Sequence, residues 1–225
     1  KEINKVLIVA AHPDDEVLGC GGTIAKLISK GCKIKILFMS DGVSSRTKNI
    51  KNFSKYRKNA AKNTSKILGC LNPIFYNFPD NKMDSIPLLT ITKKIEKVIN
   101  DFKPDTIFTH FNLDLNIDHQ VTSRAVITAA RPQTSCSVKN IFFFEILSST
   151  EWSANTIPVS RPTYIVNIEK FISIKKKCLL FYKKELRKSP HSRPLDSILY
   201  FDKLRGETNG FKYAEAFHVQ KILEK

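Results

Sequence analysis

The run Val6-Leu7-Ile8-Val9-Ala10-Ala11 is apolar throughout and stops abruptly at His12-Pro13-Asp14-Asp15-Glu16. A short apolar run closed by a polar cluster predicts a strand buried on both faces, as in a parallel sheet. Such a sheet has to be covered by helices, so this run commits the chain to an α/β arrangement. It also says where chemistry would collect, because open α/β sheets bind ligands beyond the carboxyl ends of their strands. His12 and Asp15, three residues apart, can offer two ligands to one divalent ion. Asp14, between them, is left free to act as a base. Pro13 has no amide hydrogen and biases His12 to extended geometry, which helps turn both carboxylates to one place.

The chain then alternates. Residues 5–11 predict a strand, and a helix from about 22 to 30 stops at Gly31. Residues 33–40 predict the next strand, 54–68 a helix closed by Gly69, and 74–78 a third strand. Leu88, Ile91, Ile95, Val98, Ile99 and Phe102 fall at helical spacing and predict a helix over 88–102, ended by Pro104. Residues 106–109 predict a strand and about 119–130 a helix. This rhythm predicts a doubly wound, mostly parallel sheet in a single domain, residues 1–225. From about residue 140 the pattern changes to a C-terminal elaboration. Strands are expected at 141–146 and 163–168, and helices at 169–187 and 194–204. Residues 148–162 and 187–194, rich in Ser, Pro and Arg, are expected as surface loops.

Composition narrows the function classes. The net charge is +16, from 37 Lys and Arg against 21 Asp and Glu. That excess fits either a solvated Lys-rich surface or attraction to an anionic substrate or membrane surface. No zinc finger, RNP motif or basic stripe interleaved with aromatics is present, so nucleic acid is not an expected partner. No apolar run approaches the roughly 18 residues of a membrane span, which leaves only peripheral membrane contact open. No signal-peptide pattern is visible, although the chain begins at Lys1 rather than Met. Cys20, Cys32, Cys70, Cys136 and Cys178 are scattered without a C-x-x-C pair, as expected of free thiols in the cytoplasm. Gly19, Gly21 and Gly22 do not match dinucleotide-loop spacing and are expected to permit a tight turn and close helix packing.

A third metal ligand is available at His119, in Asn116-Ile117-Asp118-His119-Gln120. Two imidazoles and one carboxylate leave a position open for water, the pattern of a mononuclear hydrolytic site. Such a donor set admits zinc or ferrous iron. Ala11-His12-Pro13-Asp14-Asp15-Glu16 paired with Asp118-His119 resembles the signature of the LmbE-like, or PIG-L-type, zinc-dependent N-deacetylases. The resemblance continues through Gly21-Gly22-Thr23, Ser40-Asp41-Gly42, Phe78-Pro79-Asp80, Arg205-Gly206 and Ala214-Glu215-Ala216-Phe217.

That resemblance implies a Rossmann-like three-layer fold and hydrolysis of the acetamide of an N-acetylated amino sugar. It implies His12, Asp15 and His119 as ligands of Zn2+, with Fe2+ the alternative, and Asp14 as general base. It implies Arg57 and Asp80 as grips on sugar hydroxyls or nearby substrate groups, and Asp118 as the carboxylate that orients an imidazole. His110, Asp114 and His191 complete the expected substrate-binding set. Many relatives carry a His where this chain has Asn116. An amide can donate to an oxyanion but cannot titrate, so the amine's proton is expected from Asp14, or from His110, His191 or His218. For single residues, simpler readings stay open. Arg57 could lie on a solvated helix face, Asp80-Asn81 could be only a turn, and His218 could be structural. Trp152 could stack on a sugar or anchor the core. The alternatives for the whole chain are an amide hydrolase on a thiol conjugate or other non-sugar amide, and a non-catalytic sugar- or nucleotide-binding protein. A phosphate-bearing carrier and a homo-oligomer are both left open.

Overall fold

The apolar run forms β1, Lys5–Ala10, whose last five residues are buried. The computed structural model describes residues 3–45, 50–153 and 161–224. After β1 come α1 (Asp15–Ser29), β2 (Lys33–Ser40), α2 (Ile50–Leu68), β3 (Ile74–Phe78) and α3 (Leu88–Phe102). Then come β4 (Thr106–His110), α4 (Ile117–Ala129), β5 (Asn140–Phe144) and β6 (Tyr164–Asn167). The chain closes with α5 (Ile172–Phe181), α6 (Leu195–Glu207) and β7 (Ala214–Ile222). The seven strands form one sheet in the order β3-β2-β1-β4-β5-β7-β6. β1 to β5 pair in parallel, and β7 runs antiparallel between β5 and β6. The fold is therefore the mostly parallel α/β sheet that the alternation predicted.

Both faces of β1 are covered. Val6, Ile8 and Ala10 pack with Ile24 and Leu27 of α1, Ala61 and Leu68 of α2, and Leu179 of α5. Leu7 and Val9 face the other way, onto Ile91, Ile95 and Ile99 of α3 and Val126 of α4. The period of two within β1 thus builds two cores, one on each side of the sheet. β1 has β2 on one side and β4 on the other. The chain reverses its winding there, and the carboxyl ends of β1 and β4 frame a crevice.

Three differences from the sequence reading matter for the site. α1 starts at Asp15, about seven residues earlier than expected, and is interrupted at Cys20 (φ −149°, ψ 23°). Gly22 lies inside it, where a Cβ would stand 2.7 Å from the Ile168 side chain, so glycine permits the close approach. α5 stops at Phe181 and leaves residues 182–194 to cross the carboxyl edge of the sheet. β7 was not expected at all. Its first five residues are buried on both faces and include Glu215 and His218, which obscure the apolar pattern of a strand. Residues 154–160 of the expected 148–162 loop lie outside the described residues. Trp152 is half exposed and is no core anchor. All five cysteines are free, and no described helix is long and apolar enough to cross a membrane.

Candidate metal and catalytic site

His12, two residues past the end of β1, and His119, in the first turn of α4, meet over the β1–β4 crevice with ring centroids 5.5 Å apart. Asp15 opens α1 between them. Its Oδ2 lies 3.4 Å from His12 Nδ1 and 3.5 Å from His119 Nε2. The three residues are buried, and their ligand atoms lie within 4.8 Å of one another. Each imidazole turns its other nitrogen to a separate carboxylate. His12 Nε2 is 2.9 Å from Asp118 Oδ2, and His119 Nδ1 is 3.1 Å from Asp114 Oδ1. An N–H donated to each carboxylate leaves lone pairs on the nitrogens that face Asp15. The donor set therefore fits a divalent ion on two nitrogens and one oxygen. His12, Asp80 and Asp118 form a second trio at the same spacing. It uses the His12 nitrogen already turned to Asp118. Asp118 also accepts the N–H groups of Asn81 and Met83, and Asp80 accepts the backbone N–H and the O–H of Ser45. This second trio is a brace beneath the first.

The electrostatics come from those contacts. Burial would lower the pKa of His12, but Asp118, Asp15 and Asp80 outweigh it and hold the imidazole well above its ordinary value. Burial acts the same way on His119, where the charge of Asp15 and the bond to Asp114 win. Asp114 and Asp80 both settle at about 2 against their burial, Asp114 through His119 and Asp80 through His12.

Asp14 immediately precedes α1 with φ +133°, a region L-residues avoid. Strain of this kind costs about 1–3 kcal/mol and persists only where neighbours enforce it. Here the Asp14 carbonyl accepts from Val17 and Leu18, and its N–H donates to Glu16 Oε2 at 3.0 Å. Arg57 holds one carboxylate oxygen and Arg193 Nη1 lies 3.3 Å from the other. Burial raises the Asp14 pKa above the ordinary carboxylate range against the pull of these two cations.

Arg57 lines the pocket, and its donors are taken up by the protein. It is 4% exposed, donates to Pro13 O from Nε and Nη2 at 2.9 and 2.6 Å, and reaches Gly42 O at 2.6 Å. A Cβ at Gly42 (φ +67°) would collide with its guanidinium. His110 and Asp114 lie behind the pocket lining. Both are fully buried, His110 Nε2 accepts the Ala11 N–H at 2.8 Å, and Asp114 binds His119, Ser149 and Thr150. Burial, with the nearby charge of His119, keeps His110 neutral. His191 lies edge-on to Trp152 and accepts the Arg193 N–H at 3.0 Å, so it shapes the crossing segment instead of lining the pocket. Asn116 does line it. Its Oδ1 caps α4 by accepting the Asp118 N–H at 2.8 Å.

The pocket above these groups has a volume of about 260 Å³ and also takes in Asp80, Asn81, Ser148, Ser149, Glu185, Arg187 and Arg193. Ser148, Ser149, Glu185 and Arg187 went unrecognised in the sequence. They sit in irregular segments with no periodicity, and only the fold brings those segments over the crevice. Arg193 lies 179 positions from Asp14, and nothing local in the sequence links the two.

Residues 7–130 match the family profile described as PIG-L, GlcNAc-PI de-N-acetylase. The chain belongs to the PIG-L family. The PIG-L match contains His12, Asp14, Asp15 and His119 and ends before Ser149 and Arg193. An Escherichia coli K12 protein, the uncharacterized deacetylase YaiS, is 32% identical over 131 residues, which is 56% of this chain and 68% of that one. N,N'-diacetylchitobiose deacetylase from Pyrococcus horikoshii superposes with a TM-score of 0.79 at 20% identity, over 98% of this chain and 85% of its own. GalB, the 4-carboxy-2-hydroxymuconate hydratase of Pseudomonas putida KT2440, superposes at 0.78 with 17% identity, over 99% of both chains. A hydratase and a deacetylase thus share this PIG-L-like fold, and the reaction has to be argued from the site.

Proposed function

We propose that the chain hydrolyses the acetamide of an N-acetylated amino sugar to acetate and a free amine, with zinc held by His12, Asp15 and His119. The observation that carries this reading is the pair of imidazoles. Each is oriented by its own buried carboxylate, and both face Asp15 beside a carboxylate held in strained geometry. A divalent ion there supplies Lewis-acid polarisation of the acetyl carbonyl and lowers the pKa of water.

The chain's own residues supply the rest. Asp14 takes the proton of the attacking water on its carboxylate and returns it to the amine nitrogen as the C–N bond breaks. Its raised pKa suits both halves of that cycle. Arg57 and Arg193 fix the orientation of the carboxylate. Asn116 lines the pocket with its Oδ1 committed to the α4 cap; its Nδ2 donates one hydrogen to Asn81 Oδ1 at 3.4 Å and has a second for the developing oxyanion. Asp118 and Asp114 act as positioning residues behind His12 and His119.

Elemental analysis of the purified protein, run with acetate release from a panel of N-acetylglucosamine derivatives, tests this. The expected result is about one zinc per chain, acetate release that a chelator abolishes, and recovery when zinc is restored. Absence of bound metal after reconstitution would overturn the reading.

A further inference from the structure

Among the described residues, one cation of the catalytic pocket has no protein partner. Arg57 is bound to Pro13, Gly42 and Asp14, and Arg193 to Leu147 O at 3.0 Å and to Asp14. Both pocket imidazoles face carboxylates. Arg187 lines the same pocket from the segment between α5 and α6, and it is exposed. Its backbone is anchored, the N–H donating to Arg193 O at 3.2 Å, while its guanidinium bonds to nothing among the described residues. Glu185, two residues earlier, turns a carboxylate oxygen to within 3.9 Å of Arg57 Nη1. Around Arg187 the surface is basic. Lys184 and Lys188 are exposed in the same segment, and α2 presents Lys55 and Lys58 along a shallow groove. Asp41 also lines that groove and is next in the chain to pocket residue Gly42.

We propose that Arg187 is a specificity residue that binds an acidic group of the substrate, so that the preferred substrate is an N-acetylated amino sugar bearing a phosphate or carboxylate away from its acetamide. The proposal rests on the deacetylase reading above. A guanidinium offers two parallel N–H donors to either anion, and Arg187 is the pocket cation with those donors uncommitted. The flanking lysines raise the local concentration of anions and speed encounter, an effect that salt screens. Asn81 and Ser148 supply neutral polar groups for the sugar hydroxyls.

The test compares methyl N-acetylglucosaminide, N-acetylglucosamine 1-phosphate and N-acetylmuramic acid as substrates of the zinc-loaded protein and of Arg187→Gln. In the wild type, kcat/KM for one acidic sugar should exceed that of the neutral glycoside about tenfold at low salt. The two acidic sugars separate phosphate from carboxylate recognition. In Arg187→Gln the ratio should fall to near one, and Arg187→Lys should retain part of it. A ratio near one in the wild type, or one unchanged in Arg187→Gln, would overturn the proposal. Calorimetric Kd values for glucosamine 1-phosphate, muramic acid and methyl glucosaminide provide a second readout that needs no turnover. If no sugar released acetate, the deacetylase reading would fail, while the contrast in Kd between wild type and Arg187→Gln would still decide the role of Arg187.

Discussion

Asp14 stands at a backbone angle that its side chain alone would not choose, between two arginines from distant segments. Replacing it by Asn keeps the shape and the tolerance for positive φ but removes the base. Asp14→Asn should retain the metal and lose about 10²–10⁴-fold in turnover. His119→Ala should lose metal and turnover together. Parallel metal analysis and acetate assays distinguish the two, and near-native turnover of Asp14→Asn would rule out its role as base. For single residues the sequence was informative where the chemistry is local. His12, Asp14 and Asp15 lie within four residues, so their convergence needs only a strand end and a helix start. Arg57 was legible as important but its partners were not, because Pro13 and Gly42 lie 44 and 15 residues away. His110 and Asp114 could not be told from substrate contacts without knowing which way the carboxyl edge faces.

Among the elements, the break in α1 is held by charge. Glu215 of β7 accepts the N–H groups of Gly22 and Thr23 at 2.9 and 2.7 Å. Lys175 of α5 reaches Leu18 O at 3.3 Å, the carbonyl that Gly22 would meet in an unbroken helix. Lys175 also lies 2.8 Å from Glu215 and 2.8 Å from Asp202 of α6. Lys175→Met should cost about 3–5 kcal/mol, read as a lowered urea midpoint, because it strands two buried carboxylates.

One ammonium cannot fully compensate two carboxylates, and burial pushes Asp202 up to about 7. The folded state then holds a proton between about pH 4 and 7 that the unfolded chain has released, so this contribution to stability is present below pH 4 and lost as pH rises through 7. Glu16, pushed to about 8 by burial, acts in the same direction. Asp80 and Asp114, held at about 2, act oppositely, and their contribution is lost only as pH falls below about 4. Denaturant unfolding from pH 4 to 8 should therefore show a shallower decline in Asp202→Asn than in the wild type. An unchanged slope would assign the decline elsewhere.

Over the whole molecule, the family match ends at residue 130, yet β5, β6 and β7 complete the sheet, and Ser149, Arg187 and Arg193 complete the site. β7 joins β5 to β6 and delivers Glu215 to the first helix. Truncation after Tyr213 should expose the edge of β5 and abolish cooperative unfolding, as monitored by circular dichroism. A truncated chain that still unfolded cooperatively would show that β7 is dispensable.

The alternation of elements, the parallel sheet and the ligand-bearing edge were all legible before any fold was known. They are written in short-range patterns: the apolar run of β1, the helical spacing of α3, and the His-Pro-Asp-Asp cluster. Folding in three dimensions was needed to set which arginines restrain Asp14 and which carboxylate orients each imidazole. It was needed too for Arg187 to reach the pocket from an irregular segment. Those contacts join residues up to 179 positions apart, and no local pattern encodes a distance that the sheet order alone sets.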